Sequence, residues 1–390
     1  MSPGERGRFG SGVVTGLVVG LVLAALVAAL TGLLDRDHGG DATREALETV
    51  EDNYFEEVDA GTLEDSSIDG MVRELRKRYD DHFSHYFTED QLEEFEAATS
   101  GRFSGVGLTV NEVPKGLRVA DVLPDTPAER AGIEPGDVIV AVDGESIAGV
   151  PSNVSTARIK GPAGTEVALR LIPVDGGKAR EVVVERADVR VPAVDGELRR
   201  VDGHDVAYVR FASFSEGAHG ELRQTIERLY REGAEGLVLD LRANGGGLLN
   251  EAVLSTSVFV DEGTVVSTES RTQGERDYEA VGDAIDPRPT VVLVNRDTAS
   301  AAEILTAALK NYDLATVAGT RTFGKGTFQE VIRLEEGGAL DLTIGQYLTA
   351  DGSSIAGEGV KPEVRTEDDT DTPSEDEALE RALTVLQPRL

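Results

Sequence analysis

Three short stretches place chemically useful groups among glycines and small residues. The first is Asp240-Leu241-Arg242-Ala243-Asn244-Gly245-Gly246-Gly247, directly after an apolar run. The second is Asp297-Thr298-Ala299-Ser300-Ala301-Ala302-Glu303-Ile304, where a strand pattern gives way to a helix pattern. The third is Arg321-Thr322-Phe323-Gly324-Lys325-Gly326-Thr327-Phe328-Gln329. A hydroxyl at Ser300 lies by a helix N-terminus, where N–H groups and the dipole favour developing negative charge. A plain helix cap would use the same residue. Lys325 between two glycines can enter a cleft and act as a general base if burial lowers its pKa. Otherwise it is a solvated loop lysine. Gly245–Gly247 offer backbone N–H groups to an oxyanion, or simply a flexible turn. The GxxxxGK[ST] spacing of a phosphate-binding loop is absent.

The elements that must position these groups follow from periodicity. Apolar runs at Val206–Phe211, Leu237–Leu241, Val291–Asn295 and Thr316–Ala318 alternate with helical patterns over 216–231, 248–258 and 299–311. That alternation predicts an α/β core. Upstream, Val106–Val110, Leu117–Val122, Val138–Val142 and Val167–Leu171 read as short strands, followed by Val182–Val184. Residues 40 to about 100 read as helices: Glu45–Phe55, Ile68–Tyr79 with Met71, Leu75 and Tyr79 at helical spacing, and a start near Thr88-Glu89-Asp90-Gln91. These helices are expected to pack on the main body or on a second subunit. Residues 366–378 are acidic, poor in apolar side chains and expected to be mobile, with a short helix closing the chain over Ala378–Leu386.

Gly10 to Leu34 carries no charged residue. As a helix it would rise roughly 37 Å, enough for a hydrocarbon layer of roughly 30 Å. Arg6 and Arg8 precede it, and Asp35 and Asp37 follow, which predicts residues 1–9 in the cytoplasm and everything after Leu34 outside it. A single-pass cell-membrane anchor is the expectation. A cleaved signal peptide, with small residues at Val27-Ala28-Ala29, is the alternative. The formal net charge is -34, which argues against nucleic acid as a partner. With no cysteine there is no disulfide, thiolate chemistry or Cys-based zinc site. The five histidines fall in no metal-ligand spacing, so no metal or cofactor is expected.

Residues 103–175 resemble a PDZ domain. The resemblance rests on Ser104-Gly105-Val106-Gly107-Leu108 and on the stretch from Pro124 to Gly144. It implies that an extended peptide adds a strand to an open sheet edge and that its terminal carboxylate meets backbone N–H groups of the loop Gly105, Val106, Gly107 and Leu108. Val106 and Leu108 would flank the pocket for the last side chain.

Together the three reactive stretches resemble the C-terminal processing peptidases, the tail-specific serine/lysine proteases of family S41. Lys325 stands 25 positions after Ser300, and Gln329 four positions after Lys325, as in that family. The resemblance implies Ser300 as nucleophile, Lys325 as base and Gln329 as the residue positioning it. Gly246 and Ala301 would supply the oxyanion N–H groups. It covers the PDZ module and the α/β core strongly, with Leu342–Leu348 and Gly357–Pro362 matching closing strands, and the helical region only weakly. Gly245 stands where the family usually has proline, Thr298 where it has serine, and Asn311 or Asp313 near an acidic position. The expected plan is a multidomain α+β chain: anchor 10–34, helical region 35–102, PDZ domain 103–175, a crotonase-like protease core 176–365 and the acidic tail with its short helix 366–390. The expected partners are polypeptides with free C-termini, with a homodimer or higher oligomer left open. A catalytically inert, membrane-anchored PDZ scaffold is the rival reading, and an acyl-CoA enzyme on the related core is a second.

Overall fold

The computed structural model of the protein describes residues 38–368 and 376–390. The expected membrane span, and the cytoplasmic residues before it, lie outside the described residues. Among those described, no helix is long and apolar enough to cross a membrane.

The chain divides into two compact units at Tyr86 and Phe87. In the first, two helices run over His38–Asn53 and Ala60–Tyr79. Asp59 caps the second through the Thr62 N–H, and the Tyr86 hydroxyl donates to Asp65 at 2.6 Å. Met71, Leu75 and Tyr79 share one face, as their spacing predicts, and all three are exposed.

The second unit begins with the helix Glu89–Ser100, opened by a Thr88–Gln91 capping box and closed by Gly101 in the left-handed conformation. The PDZ sheet follows, with strands Leu108–Val113, Gly116–Val122, Val138–Val142, Glu166–Ile172 and Arg180–Glu185 paired antiparallel in that order. It therefore extends past the expected boundary at residue 175. Leu117, Ile139, Ile147, Leu169 and Leu171 form its fully buried centre.

The protease core is a six-stranded sheet. Val194–Val201 pairs antiparallel with His204–Phe211, and Gly236–Asp240, Thr290–Val294, Thr316–Gly319 and Val364–Arg365 then join in parallel. Side chains on a strand alternate between faces, and each face has its own partner. Ala207, Val209, Leu237, Leu239, Val292 and Val294 point at the helices Ala218–Arg231, Leu249–Thr256 and Ala301–Asn311. Val206, Val238, Val291 and Leu293 meet Leu379, Ala382, Leu383 and Leu386 of the C-terminal helix Glu377–Leu386.

That second layer corrects the view of residues 366–390 as a tail. The closing helix is part of the core, because its Ala/Leu stripe covers a buried sheet face. Its N-cap, Asp376, is tied to the middle of the chain. Arg242 donates to Asp376 at 2.8 Å, to Asp368 at 3.1 Å and back to Asp240 at 2.7 Å. Burial pushes the Asp376 carboxyl up, but hydrogen bonds from Arg242 and the Leu379 N–H hold it below its ordinary value. The acidic residues between Asp368 and Asp376 lie outside the described residues.

A second, antiparallel sheet stands beside this core. Thr327–Arg333 pairs with Ala339–Thr349, which pairs with Thr264–Ser270, and that strand pairs with Gly274–Glu279. The first of these strands leaves the loop that carries Lys325.

Candidate functional site

Ser300 occupies the junction between Asn295 and the helix Ala301–Asn311 with φ 56° and ψ −119°. Positive φ on a residue with a Cβ is a strained backbone, costing on the order of 1–3 kcal/mol. A sharp strand-to-helix turn of this kind lifts a serine hydroxyl out of the regular backbone. Ser300 is thus the helix N-cap by position, yet in a conformation a capping serine does not need.

The strain is held by Glu303, one turn into the same helix and fully buried. Its carboxylate accepts the Ser300 N–H at 2.9 Å, the Gly324 N–H at 2.7 Å and the Lys325 N–H at 2.9 Å. It also accepts the Thr322 hydroxyl. All four of these partners are donors, which matches the acceptor oxygens of a carboxylate. One side chain thereby fixes the backbone of the expected nucleophile and that of the expected base in a single frame.

The Lys325 loop is clamped from its other side. Gly324 has φ +89°, and a Cβ there would lie 3.0 Å from the Gly359 nitrogen. A Cβ on Gly326 would lie 2.5 Å from the Ala356 nitrogen. Both glycines are therefore required for the close approach of the segment Ile355–Val360, which donates the Gly357 N–H to Gly324 at 2.9 Å. Lys325 itself is half-buried. Burial lowers its pKa below the ordinary lysine value, and the Asp341 carboxylate partly opposes that shift. Tyr347 lies 5% exposed and is hydrogen-bonded to the Ser300 side chain; burial holds its hydroxyl protonated well above the ordinary range.

Gln329 lies on the strand after the loop, and its amide donates to the Thr343 hydroxyl at 3.1 Å and to Thr327 at 3.4 Å. Gly246 packs directly against the serine: a Cβ there would lie 2.8 Å from the Ser300 Cβ and 3.0 Å from the Ala301 nitrogen. Only glycine fits. Its own N–H, however, donates to the Asn244 side chain at 2.9 Å. The Ala301 N–H, at the first helical position, has no acceptor among the described residues. Of the two expected oxyanion donors, then, one is open and one is engaged by Asn244, which is buried and anchored to the Phe211 carbonyl at 2.7 Å. His204 and His219 are engaged elsewhere, with Glu235 at 3.0 Å and with Glu251 at 2.8 Å.

In the PDZ module, Gly105 ends a strand, Arg102–Gly105, paired with Ala187–Arg190. Val106 is core, and Leu108 packs partly on the same core. The carbonyls of Val106 and Gly107 accept N–H groups of Ala128 and Leu123 at 2.8 and 3.0 Å. The N–H groups of Val106 and Gly107 have no protein acceptor among the described residues. Buried donors without partners are rare unless something else satisfies them. A cleft of about 1150 Å³ begins here, lined by Ser104, Leu108 and Lys160 on one side and by Ala212, Ser213 and Ser215 on the other. Its far wall adjoins Phe214, which exchanges hydrogen bonds with Gly246 and Leu248 at 3.0 and 2.9 Å.

Glu303 and Tyr347 are the residues that sequence reasoning did not single out. Glu303 stands three positions after Ser300, the capping-box spacing, which was the available signal.

Comparison with known proteins gives a consistent picture. Peptidase family S41 matches residues 205–366, and a PDZ domain matches residues 118–173. The carboxy-terminal processing protease CtpA of Bacillus subtilis is 35% identical over 328 residues, 84% of this chain and 69% of that protein. A carboxy-terminal-processing protease of Bartonella bacilliformis is 35% identical over 327 residues, 82% of this chain and 73% of that protein. Among solved structures, the photosystem II D1 C-terminal processing protease is 32% identical, with a TM-score of 0.49, covering 88% of this chain and 95% of that one.

The carboxylate frame has a direct test. Glu303→Gln replaces an acceptor-only group by one that turns an NH₂ toward backbone donors. It should lower unfolding free energy by about 2–4 kcal/mol in denaturant titration and cut peptidase activity by roughly 100-fold or more, because the two backbones lose their common anchor.

Proposed function

The chain belongs to peptidase family S41, among its carboxy-terminal processing serine proteases, and on that premise we propose that Ser300 and Lys325 form the catalytic pair. The observation that carries the proposal is the shared Glu303 carboxylate, which bonds the N–H groups of both residues at 2.9 Å.

Neutral Lys325 takes the Ser300 proton as Oγ attacks the scissile carbonyl carbon. The carbonyl π electrons move to oxygen, and the Ala301 N–H meets that oxyanion. Gly246 lines the same spot, and its N–H joins only after leaving Asn244. Each such donor is worth roughly 3 kcal/mol in other enzymes. Collapse of the tetrahedral intermediate expels the amine, which takes the proton from Lys325, and water then releases the acyl group by the same steps in reverse. Tyr347 orients the serine hydroxyl. Gln329, held by Thr343 and Thr327, fixes the strand that leads out of the lysine loop.

The PDZ loop at Gly105–Leu108 is proposed to take the substrate's terminal carboxylate on the open N–H groups of Val106 and Gly107. The cleft beside it is bounded by Ser213 and Ser215, which flank Phe214, the residue bonded to Gly246. Amidating the C-terminus of a test substrate should therefore raise KM and leave kcat nearly unchanged. An equal KM for both forms would remove the PDZ capture step. Residues 10–34 are proposed to anchor the enzyme with its catalytic part outside the cytoplasm, which fractionation of cells expressing the chain with and without residues 1–34 tests.

The inert-scaffold reading is separated by cleavage of an unstructured polypeptide with a free apolar C-terminus. Wild type should cut, and folded Ser300→Ala and Lys325→Ala should lose at least about 1000-fold. The base must be neutral, so kcat/KM should rise with pH through a pKa below the ordinary lysine value. Asp341 raises that pKa, so Asp341→Asn should move the rising limb to lower pH. A limb that stays in place would mean that Lys325 is not the titrating group.

A further inference from the structure

One pocket on the flank of the lysine loop has no part in the mechanism above. It has a volume of about 570 Å³ and is lined by Arg296, Arg321, Lys361 and Arg365, with Thr320 and Phe323. All four cations are exposed at its rim. Lys361 has Glu358 at 3.6 Å. Among the described residues, no carboxylate lies within ion-pair distance of Arg296, Arg321 or Arg365, although the chain carries 72 acidic residues against 38 basic ones. Asp297, beside Arg296, is hydrogen-bonded to the Asn295 amide instead, and Glu363 accepts the Val317 N–H. Three guanidinium groups without a carboxylate partner among the described residues gather at one opening, in a protein with a large excess of carboxylates, and can receive an anion there.

A second observation is independent of charge. The Thr320 hydroxyl oxygen is buried and has no hydrogen-bond partner among the described residues, and Thr320 is 8% exposed. A buried hydroxyl without a partner leaves one polar group unsatisfied in the wall of this pocket.

The pocket is also joined to the catalytic frame. Phe323 donates its N–H to Thr298 at 2.9 Å, two residues before Ser300. Thr322 donates its hydroxyl to Glu303. The wall that carries Arg321 continues within four residues into Lys325. Phe323 is 56% exposed, so the rim pairs an aromatic ring with cations, which suits a carboxylate attached to a peptide better than a bare inorganic ion.

We propose that this pocket is an anionic subsite that binds a carboxylate of the polypeptide substrate, through Arg296, Arg321 and Arg365. The proposal rests on the peptidase reading for the nature of its ligand. The carboxylate has two sources in a polypeptide, acidic side chains and the C-terminus. Guanidinium forks recognise either one.

Binding to folded Ser300→Ala protein, followed by fluorescence anisotropy, tests it without relying on turnover. Three labelled peptides are compared: glutamate-containing with both ends blocked, the same with glutamine, and the glutamine peptide with a free C-terminus. The expected result is that the glutamate peptide binds about tenfold tighter than its glutamine counterpart, and that Arg296→Gln with Arg321→Gln and Arg365→Gln abolishes this advantage. If the arginine-dependent advantage belongs instead to the free C-terminus, the subsite stands with that as its source. If neither advantage depends on the arginines, including the case in which no peptide binds, the proposal is overturned. Cleavage of the glutamine peptide by protein with Ser300 intact reports separately on the peptidase reading, so failure of one is not failure of the other.

Discussion

The structure around the proposed active site depends on one buried carboxylate. Glu303 accepts four donors, from Ser300, Thr322, Gly324 and Lys325. A buried carboxylate is costly unless every acceptor site is used, and here the donors come from two separate segments. The cost of burial is offset only when the serine turn and the lysine loop sit together. The same contact holds Ser300 in a conformation that costs free energy on its own. Formation of the core and formation of the site are therefore one event for these residues.

Everything else can be read as support for that frame. The parallel sheet sets where the helix Ala301–Asn311 begins, since Thr290–Val294 is buried on both faces. The Arg242 cluster fixes the strand-to-helix turn that brings Gly246 against Ser300, and it does so by tying that turn to Asp376 at the start of the last helix. Gly324 and Gly326 let the segment around Gly357 close on the lysine loop, which buries Lys325 enough to lower its pKa. Burial that would be a penalty for an ordinary lysine is what suits this one to the proposed role of base.

Much of this was legible in the sequence, for definite reasons. The core strands announce themselves as short continuous β-branched runs, and the helices between them by their period. The small residues around Ser300 and the glycines on each side of Lys325 mark close approach, and the structure finds contacts at each. Other features depend on tertiary partners that no local pattern names. The strands Val194–Val201, Thr264–Ser270 and Gly274–Glu279 are rich in charged or polar residues and do not stand out. The closing helix was legible over Ala378–Leu386, but its packing against the sheet face of Val206, Val238, Val291 and Leu293 was not. That the Gly246 N–H meets Asn244, and that Tyr347 meets Ser300, follows from side-chain placement across distant segments. The Met71, Leu75 and Tyr79 stripe was readable as a helix face, but its exposure was not.

The most direct test of the account is the reaction of a fluorophosphonate probe with the intact protein, followed across pH with the adduct mapped by mass spectrometry. A single adduct on Ser300 is expected, formed at a rate that rises through a pKa below that of ordinary lysine, with no adduct in folded Lys325→Ala. An adduct on another residue, or equal labelling of Ser300 with Lys325 removed, would contradict it.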